Sequence, residues 1–282
     1  MPSRPPPARP ASRSKPGAKP GATREQIERR ERFARARRES LRPEADGPAI
    51  LYGWHTVTAA LRNPARRIRR LLATENAARR LAEEGIASAV APEVVRPSAI
   101  DERLMPDAVH QGLYLEAETL PSPPIADLPA RGIVLALDQI TDPHNVGAIF
   151  RSAAAFGATA IVTTERHSPD AAGALAKAAS GAIELVPLVT VQNLARGLAE
   201  LRERGFLLVG LDSEGDGDLA ALALRAPLVL VLGAEGKGLR QLTRETCDRL
   251  ARIDVPGAIK SLNVSNAAAL SLYVASRAIG NG

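Results

Sequence analysis

Three segments of this chain run almost without a polar interruption: IVLALDQ (133–139), FLLVGLD (206–212) and PLVLVLGAE (227–235). A strand that is apolar on both sides must be covered on both sides, which is the condition of a parallel sheet with helices on each face. The segments between them have the matching pattern. NVGAIFRSAAAFG, AAGALAKAASGA and VQNLARGLAELRERG read as helices, TAIVTTE and IELVPLV as further strands, and SNAAALSLYVASRAIG as a last helix. Ligands of such sheets bind beyond the carboxyl ends of the strands. Chemistry is therefore to be sought in the loops after Gln139, Leu232 and Val255.

Those loops read DPHNVGAIFR, GAEGKGL and VPGAIKSLNVSN, and they hold the polar residues that the strands lack. Asn145 and Arg151 lie across the start of one helix, with Gly147 between them allowing close backbone approach. Glu235 is framed by Gly233, Gly236 and Gly238. Ser261, Asn263, Ser265 and Asn266 crowd the entrance of the last helix, where one hydroxyl or amide would suffice as a cap. GAEGKGL is not a phosphate loop, because Lys237 is followed by Gly238 instead of Ser or Thr, and Gln241 stands where a dinucleotide fingerprint needs its third glycine. No His/Cys cluster suggests a metal, and no Ser–His–acid set is evident.

Upstream the chain is organised differently. AILYGWHTVTAALRNP reads as a strand and a helix, IRRLLATE as a strand, NAARRLAEEGI as a helix and HQGLYLEAETL as a final strand, a small α/β unit over 47–119. Arg66, Arg67, Arg69 and Arg70 are either a solvated strand edge or an RNA-facing patch. His55 and His110 lack metal spacing and read as structural or RNA-facing. LPSPPIADLPARG carries four prolines and reads as a linker (120–131) between this unit and the large one, 132–282.

The chain carries a formal net charge of +6, but the excess is local. Residues 1–46 hold 13 of the 37 Lys/Arg and 6 of the 31 Asp/Glu, a net of +7 that leaves the rest at −1. This Pro-, Arg- and Ser-rich segment reads as a disordered tail, either a passive extension or an RNA-binding arm with salt-sensitive phosphate contacts. No apolar run is long enough to cross a bilayer and no signal segment opens the chain, so a cytoplasmic protein without membrane association is expected. Cys247 is the one cysteine, which excludes an intrachain disulfide. Beside Asp248 and Arg249, in a segment read as helical, it is a free structural thiol.

NVGAIFR, LGAEGKGL and VPGAIKSLNVSNAAALSLY resemble, in order and placement, the three motifs of the SpoU/TrmH family of RNA 2′-O-ribose methyltransferases, within the SPOUT superfamily. The leading unit, with YGWHTVTAAL and HQG, resembles the small L30e-like RNA-binding domain of bacterial enzymes that methylate a guanosine of 23S rRNA. The resemblance implies an α/β fold whose parallel-sheet catalytic domain ends in a deep C-terminal trefoil knot. It also implies bound S-adenosylmethionine and a homodimer. Carried over by position, cofactor contacts fall on Gly233, Ile253 and Leu262, and the family's critical polar positions on Asn145, Arg151, Glu235, Asn263 and Ser265.

The reaction so implied is attack by a ribose 2′-oxygen on a sulfonium methyl. It needs no metal, because the leaving group departs as a neutral thioether. The family assigns Arg151 the part of base, but a guanidinium is not deprotonated in proteins. Phosphate binding and stabilisation of the developing alkoxide suit it better, with Glu235 organising Asn145 and Arg151. A tRNA ribose is the alternative target. A non-catalytic RNA-binding protein on the same fold and a nucleotide-dependent oxidoreductase are rival readings. The first is opposed by the complete polar set and the second by the failed glycine fingerprint. The Ala-rich face of the last helix is the expected subunit contact.

Overall fold

A computed structural model describes residues 47–105, 108–167, 174–258 and 261–280; the tail reading for 1–46 lies outside them. The described residues form two sheets. The smaller has the order β1-β4-β2-β3, formed by β1 (Ala49–Tyr52), β2 (Ile68–Ala73), β3 (Glu93–Val94) and β4 (Leu113–Ala117). β4 pairs antiparallel with both β1 and β2, while β3 runs parallel to β2. Helices α1 (Trp54–Arg62), α2 (Glu75–Glu83) and α3 (Pro97–Asp101) belong to the same segment. Trp54, Val57, Leu71, Leu81 and Leu115 fill its core. The side chain of Thr74 caps α2, and the Arg80 guanidinium lies 3.8 Å over the Trp54 ring.

The larger sheet has seven strands, all parallel: β5 (Ile133–Asp138), β6 (Ala160–Thr164), β7 (Leu188–Val191), β8 (Leu207–Leu211), β9 (Gly217–Asp218), β10 (Leu228–Gly233) and β11 (Arg249–Arg252). Their spatial order is β7-β6-β5-β10-β8-β11-β9. Alternation along the central strands sorts side chains to two cores. Leu135, Leu137, Leu228, Leu230 and Leu232 point to one face, where they meet α4 (Pro143–Ala155) and α8 (Val264–Gly280). Val134, Ala136, Val229 and Val231 point to the other, towards α6 (Leu194–Glu203). This is the two-sided burial that the apolar runs demand. α5 (Ala174–Ala179) packs so closely on α4 that a Cβ at Gly147 would lie 2.4 Å from that of Ala178. Gly147 therefore serves helix packing.

Several expectations need correction. IELVPLV is not one strand: Ala182–Glu184 is a 3₁₀ turn, and the strand begins only at Leu188. Cys247 is not in a helix but follows α7 (Gln241–Thr246), just before β11. Its burial, with Asp248 and Asp138 nearby, pushes the thiol up to about 12, in keeping with a structural role. Arg66 is no part of an exposed patch. It is 8% exposed, and its guanidinium grips both carboxylate oxygens of Glu184 at 2.5 and 3.2 Å while donating to the Glu118 carbonyl at 2.6 Å. Arg70 is held by Glu93 at 2.7 Å and Arg69 faces Glu118 at 3.7 Å, so the cluster's charge is largely answered by acids.

The Glu184 contact joins the small sheet to the large one, with Asn63 Nδ2 adding a bond of 2.8 Å to the same carboxylate. The Pro-rich segment is fastened too. Ser122 Oγ accepts from the Thr190 N–H at 2.8 Å, Leu128 is buried, and Arg204 donates to the carbonyls of Ile125 and Leu128. Both sheets belong to one compact unit, Pro43–Gly282.

Candidate active site

Because the strands are parallel, the loops that follow β5, β10 and β11 leave the sheet at the same rim, with Asp138 and Gly233 in register across β5 and β10. After β5, Asp142 caps α4 by accepting from the His144 N–H at 3.1 Å, and Pro143 occupies its first turn. This delivers Asn145 to the helix entrance. After β10 the chain turns back on itself. The N–H groups of Lys237 and Gly238 both reach the Ala234 carbonyl, Gly236 and Gly238 have φ of 74° and 64°, and a Cβ at Gly233 would lie 2.2 Å from the Gly238 backbone. The glycines are required by the turn itself, and the turn carries Glu235 at its tip.

Glu235 is where the three loops meet. Its Oε1 accepts from Asn263 Nδ2 at 2.8 Å, from the Val264 N–H at 3.2 Å and from Asn145 Nδ2 at 3.3 Å. Asn263 Nδ2 also donates to Asn145 Oδ1 at 3.0 Å. The other end of the Asn263 amide is fixed by Ser265, whose N–H and Oγ–H both donate to Asn263 Oδ1, at 2.9 and 2.6 Å. With the oxygen so occupied, only the amide nitrogen can face Glu235. Asn263 and Glu235 thus cap α8 while binding each other, a carboxylate at a helix N-terminus being favoured by the dipole. Of the polar crowd at this doorway, Asn263 and Ser265 form the cap, and Asn263 ties it to the two other loops.

Arg151 is not drawn into this cluster. Six residues beyond Asn145 on α4, it is displaced by about 9 Å along the axis and well over a quarter-turn around it. Its side chain is exposed and has no hydrogen-bond partner among the described residues. Glu235 therefore organises Asn145 but not Arg151.

Beside the cluster opens a cleft of about 430 Å³ lined by Gly233, Glu235, Ile253 and Leu262, with Asp212 and Glu214 from the loop after β8. It brings together the three positions assigned to a cofactor. Asp212 is engaged by Arg244 Nη1 at 2.6 Å and by the Glu214 N–H at 2.9 Å. One wall is apolar (Leu232, Ile253, Leu262, Val264) and suits a planar base, while the carboxylates of Glu214 and Glu235 suit a cationic ligand. S-adenosylmethionine, with an adenine and a sulfonium, fits these residues. The sequence reading missed Asp138, which is fully buried at the end of β5. It holds Arg240 by its backbone N–H at 2.9 Å and its Nε at 2.7 Å, bracing the loop after β10 against β5. A carboxylate ending an otherwise apolar strand was the available signal. No three His, Cys, Asp or Glu side chains are grouped to hold a metal among the described residues, and no described helix is long and apolar enough to cross a membrane.

The chain belongs to the SpoU rRNA methylase family, whose model matches residues 132–273. A second model, described as RNA 2′-O ribose methyltransferase substrate binding, matches residues 50–123. Among curated proteins, the 23S rRNA (guanosine-2′-O-)-methyltransferase RlmB of Ralstonia nicotianae is 42% identical over 236 residues, covering 81% of this chain and 95% of its own. The enzyme of the same name from Pseudomonas aeruginosa is 49% identical over 141 residues, 50% of this chain and 57% of its own. Among solved structures, the SpoU methyltransferase AviRb from Streptomyces viridochromogenes, in complex with AdoMet, aligns with a TM-score of 0.71 at 25% identity, covering 86% of this chain and 96% of that one.

Proposed function

We propose that this protein is an S-adenosylmethionine-dependent methyltransferase acting on the ribose 2′-hydroxyl of a guanosine in 23S rRNA. The observation that carries the reading is the convergence of Asn145, Glu235 and Asn263 on one set of hydrogen bonds, beside a cleft lined by Gly233, Ile253 and Leu262. The near full-length similarity to an RlmB enzyme supports the choice of rRNA over tRNA. The match of residues 50–123 supports a substrate-binding part for the small sheet.

When bound in the cleft, S-adenosylmethionine supplies an electrophilic methyl group on a positively charged sulfur. The remaining work falls to the protein. Arg151, exposed and without an acid partner among the described residues, presents its donor fork to a backbone phosphate and stabilises charge developing on the ribose oxygen. The 2′-proton leaves late, to water. Asn145, oriented by Glu235 and Asn263, holds the ribose, and Ser265 locks the Asn263 amide that does the orienting. The enzyme works as a homodimer with a knotted C-terminal segment. The expected Ala-rich subunit contact is revised, since Ala268 and Ala275 are fully buried within the chain. The exposed stripe of α8 is Asn266, Leu270, Tyr273 and Arg277, spaced as one helix face. Leu270 is 43% and Tyr273 54% exposed, and Tyr273 packs edge-on against Phe156.

Mapping 2′-O-methyl groups in 23S rRNA and tRNA from cells with and without the gene tests the reading. One guanosine methyl should vanish from 23S rRNA and return with the gene. Loss of a tRNA methyl instead would refute the rRNA assignment.

A further inference from the structure

Among the described residues, three other than glycine have left-handed backbone: Gln111 at φ 50°, Gln139 at 62° and Ser180 at 49°. That conformation is unfavourable for a residue with a long side chain and free to glycine. Two of the three are explained locally. Gln111 Oε1 accepts from the Trp54 N–H at 2.8 Å, serving the first turn of α1. Ser180 follows the last residue of α5, where left-handed residues commonly end helices.

Gln139 has neither explanation. It follows a strand, and its amide has no hydrogen-bond partner among the described residues. Its backbone is clamped on both sides, by Asp138, which is fully buried and bound to Arg240, and by Ile140, which is 4% exposed. Its side chain is half-buried at the rim. The pairing of β5 with β10 ends at Asp138 and Gly233, so Gln139 is the first residue of the loop that leads to Asn145. An unfavourable backbone state thus holds an amide with no partner among the described residues at the start of that loop.

We infer that the Gln139 side chain contacts the base of the target nucleotide and holds it at the rim while the ribose is methylated. The contact rests on the functional reading above. Its amide oxygen can accept from guanine N1–H while its nitrogen donates to O6. A rotated amide would satisfy adenine equally well, so the contact positions the base without choosing between purines.

The test uses the full-length protein and a 23S rRNA transcript, with Gln139→Gly and Gln139→Ala. Gly relieves the backbone and Ala does not, but both remove the amide. Both variants should lose about tenfold in kcat/KM for RNA, the scale of a two-bond base contact. Cofactor affinity should be unchanged, and the melting temperature should rise by roughly 2 °C for Gly alone. If either variant keeps half of the wild-type kcat/KM, the inference fails; retained activity in Ala alone would place the effect of Gly in loop flexibility. Filter binding of the same transcript separates this inference from the reading beneath it. A wild type that binds but transfers no methyl overturns the methyltransferase reading, and in that case equal binding by all three proteins overturns the Gln139 contact.

Discussion

Replacing Arg66 by Ala should damage the protein far more than loss of a surface arginine does. The side chains of Arg66 and Glu184 are 4% and 3% exposed. Truncation would leave the carboxylate buried with only Asn63 as side-chain donor and would deprive the Glu118 carbonyl of its guanidinium bond. Removing one partner of a buried pair typically costs about 3–5 kcal/mol, against about 0–1 kcal/mol for an exposed one. For a chain of this size about 3 kcal/mol corresponds to a fall in melting temperature of roughly 6 °C or more. Urea titration followed by circular dichroism reads the free energy, and a double cycle with Arg66→Met and Glu184→Leu isolates the pair. The double variant should be less destabilised than either single change, because no unpaired charge remains buried. The pair joins the small sheet to the large one, so the variants should also raise KM for RNA while leaving cofactor affinity intact. A cost below about 1 kcal/mol for Arg66→Ala would refute the buried junction.

Glu235→Gln keeps an acceptor for Asn145, Asn263 and the Val264 N–H but removes its charge. It should cost about 1 kcal/mol of stability and at least tenfold in turnover, read by urea titration and single-turnover methylation. Arg151→Lys keeps a charge but loses the fork. Turnover with saturating RNA should fall by roughly a hundredfold or more, with cofactor binding by calorimetry unchanged; near-normal turnover would remove Arg151 from the mechanism. Leu270→Glu together with Tyr273→Glu places charge on the exposed face of α8. Sedimentation should show the wild type as a dimer and the variant as a monomer of about 30 kDa, the chain mass being 29.8 kDa.

Whatever depended on a strand's two faces was legible in the sequence. LVLVL alternates Leu and Val because each type feeds a different core, and buried parallel strands announce themselves by having no polar face. The short elements were not legible. β3 and β9 are two residues each, and RLAR of β11 has charge at both ends because only Ala251 is fully buried. Arg66 was misread because its partner, Glu184, lies 118 residues away, and a run of arginines says nothing about which acid each will meet. The site was visible as a concentration of amides and glycines. Its connectivity was not. That Glu235 reaches Asn145 and Asn263 but not Arg151 follows from helix phase and the turn at Ala234, which only the assembled chain fixes.

The most direct test is methyl transfer itself. Purified protein, a 23S rRNA transcript and isotopically labelled S-adenosylmethionine should yield labelled 2′-O-methylguanosine at one position after nuclease digestion and mass spectrometry. The label should disappear when that guanosine is replaced by its 2′-deoxy counterpart. Label on a base, on several scattered riboses, or on tRNA but not on the transcript would contradict the account.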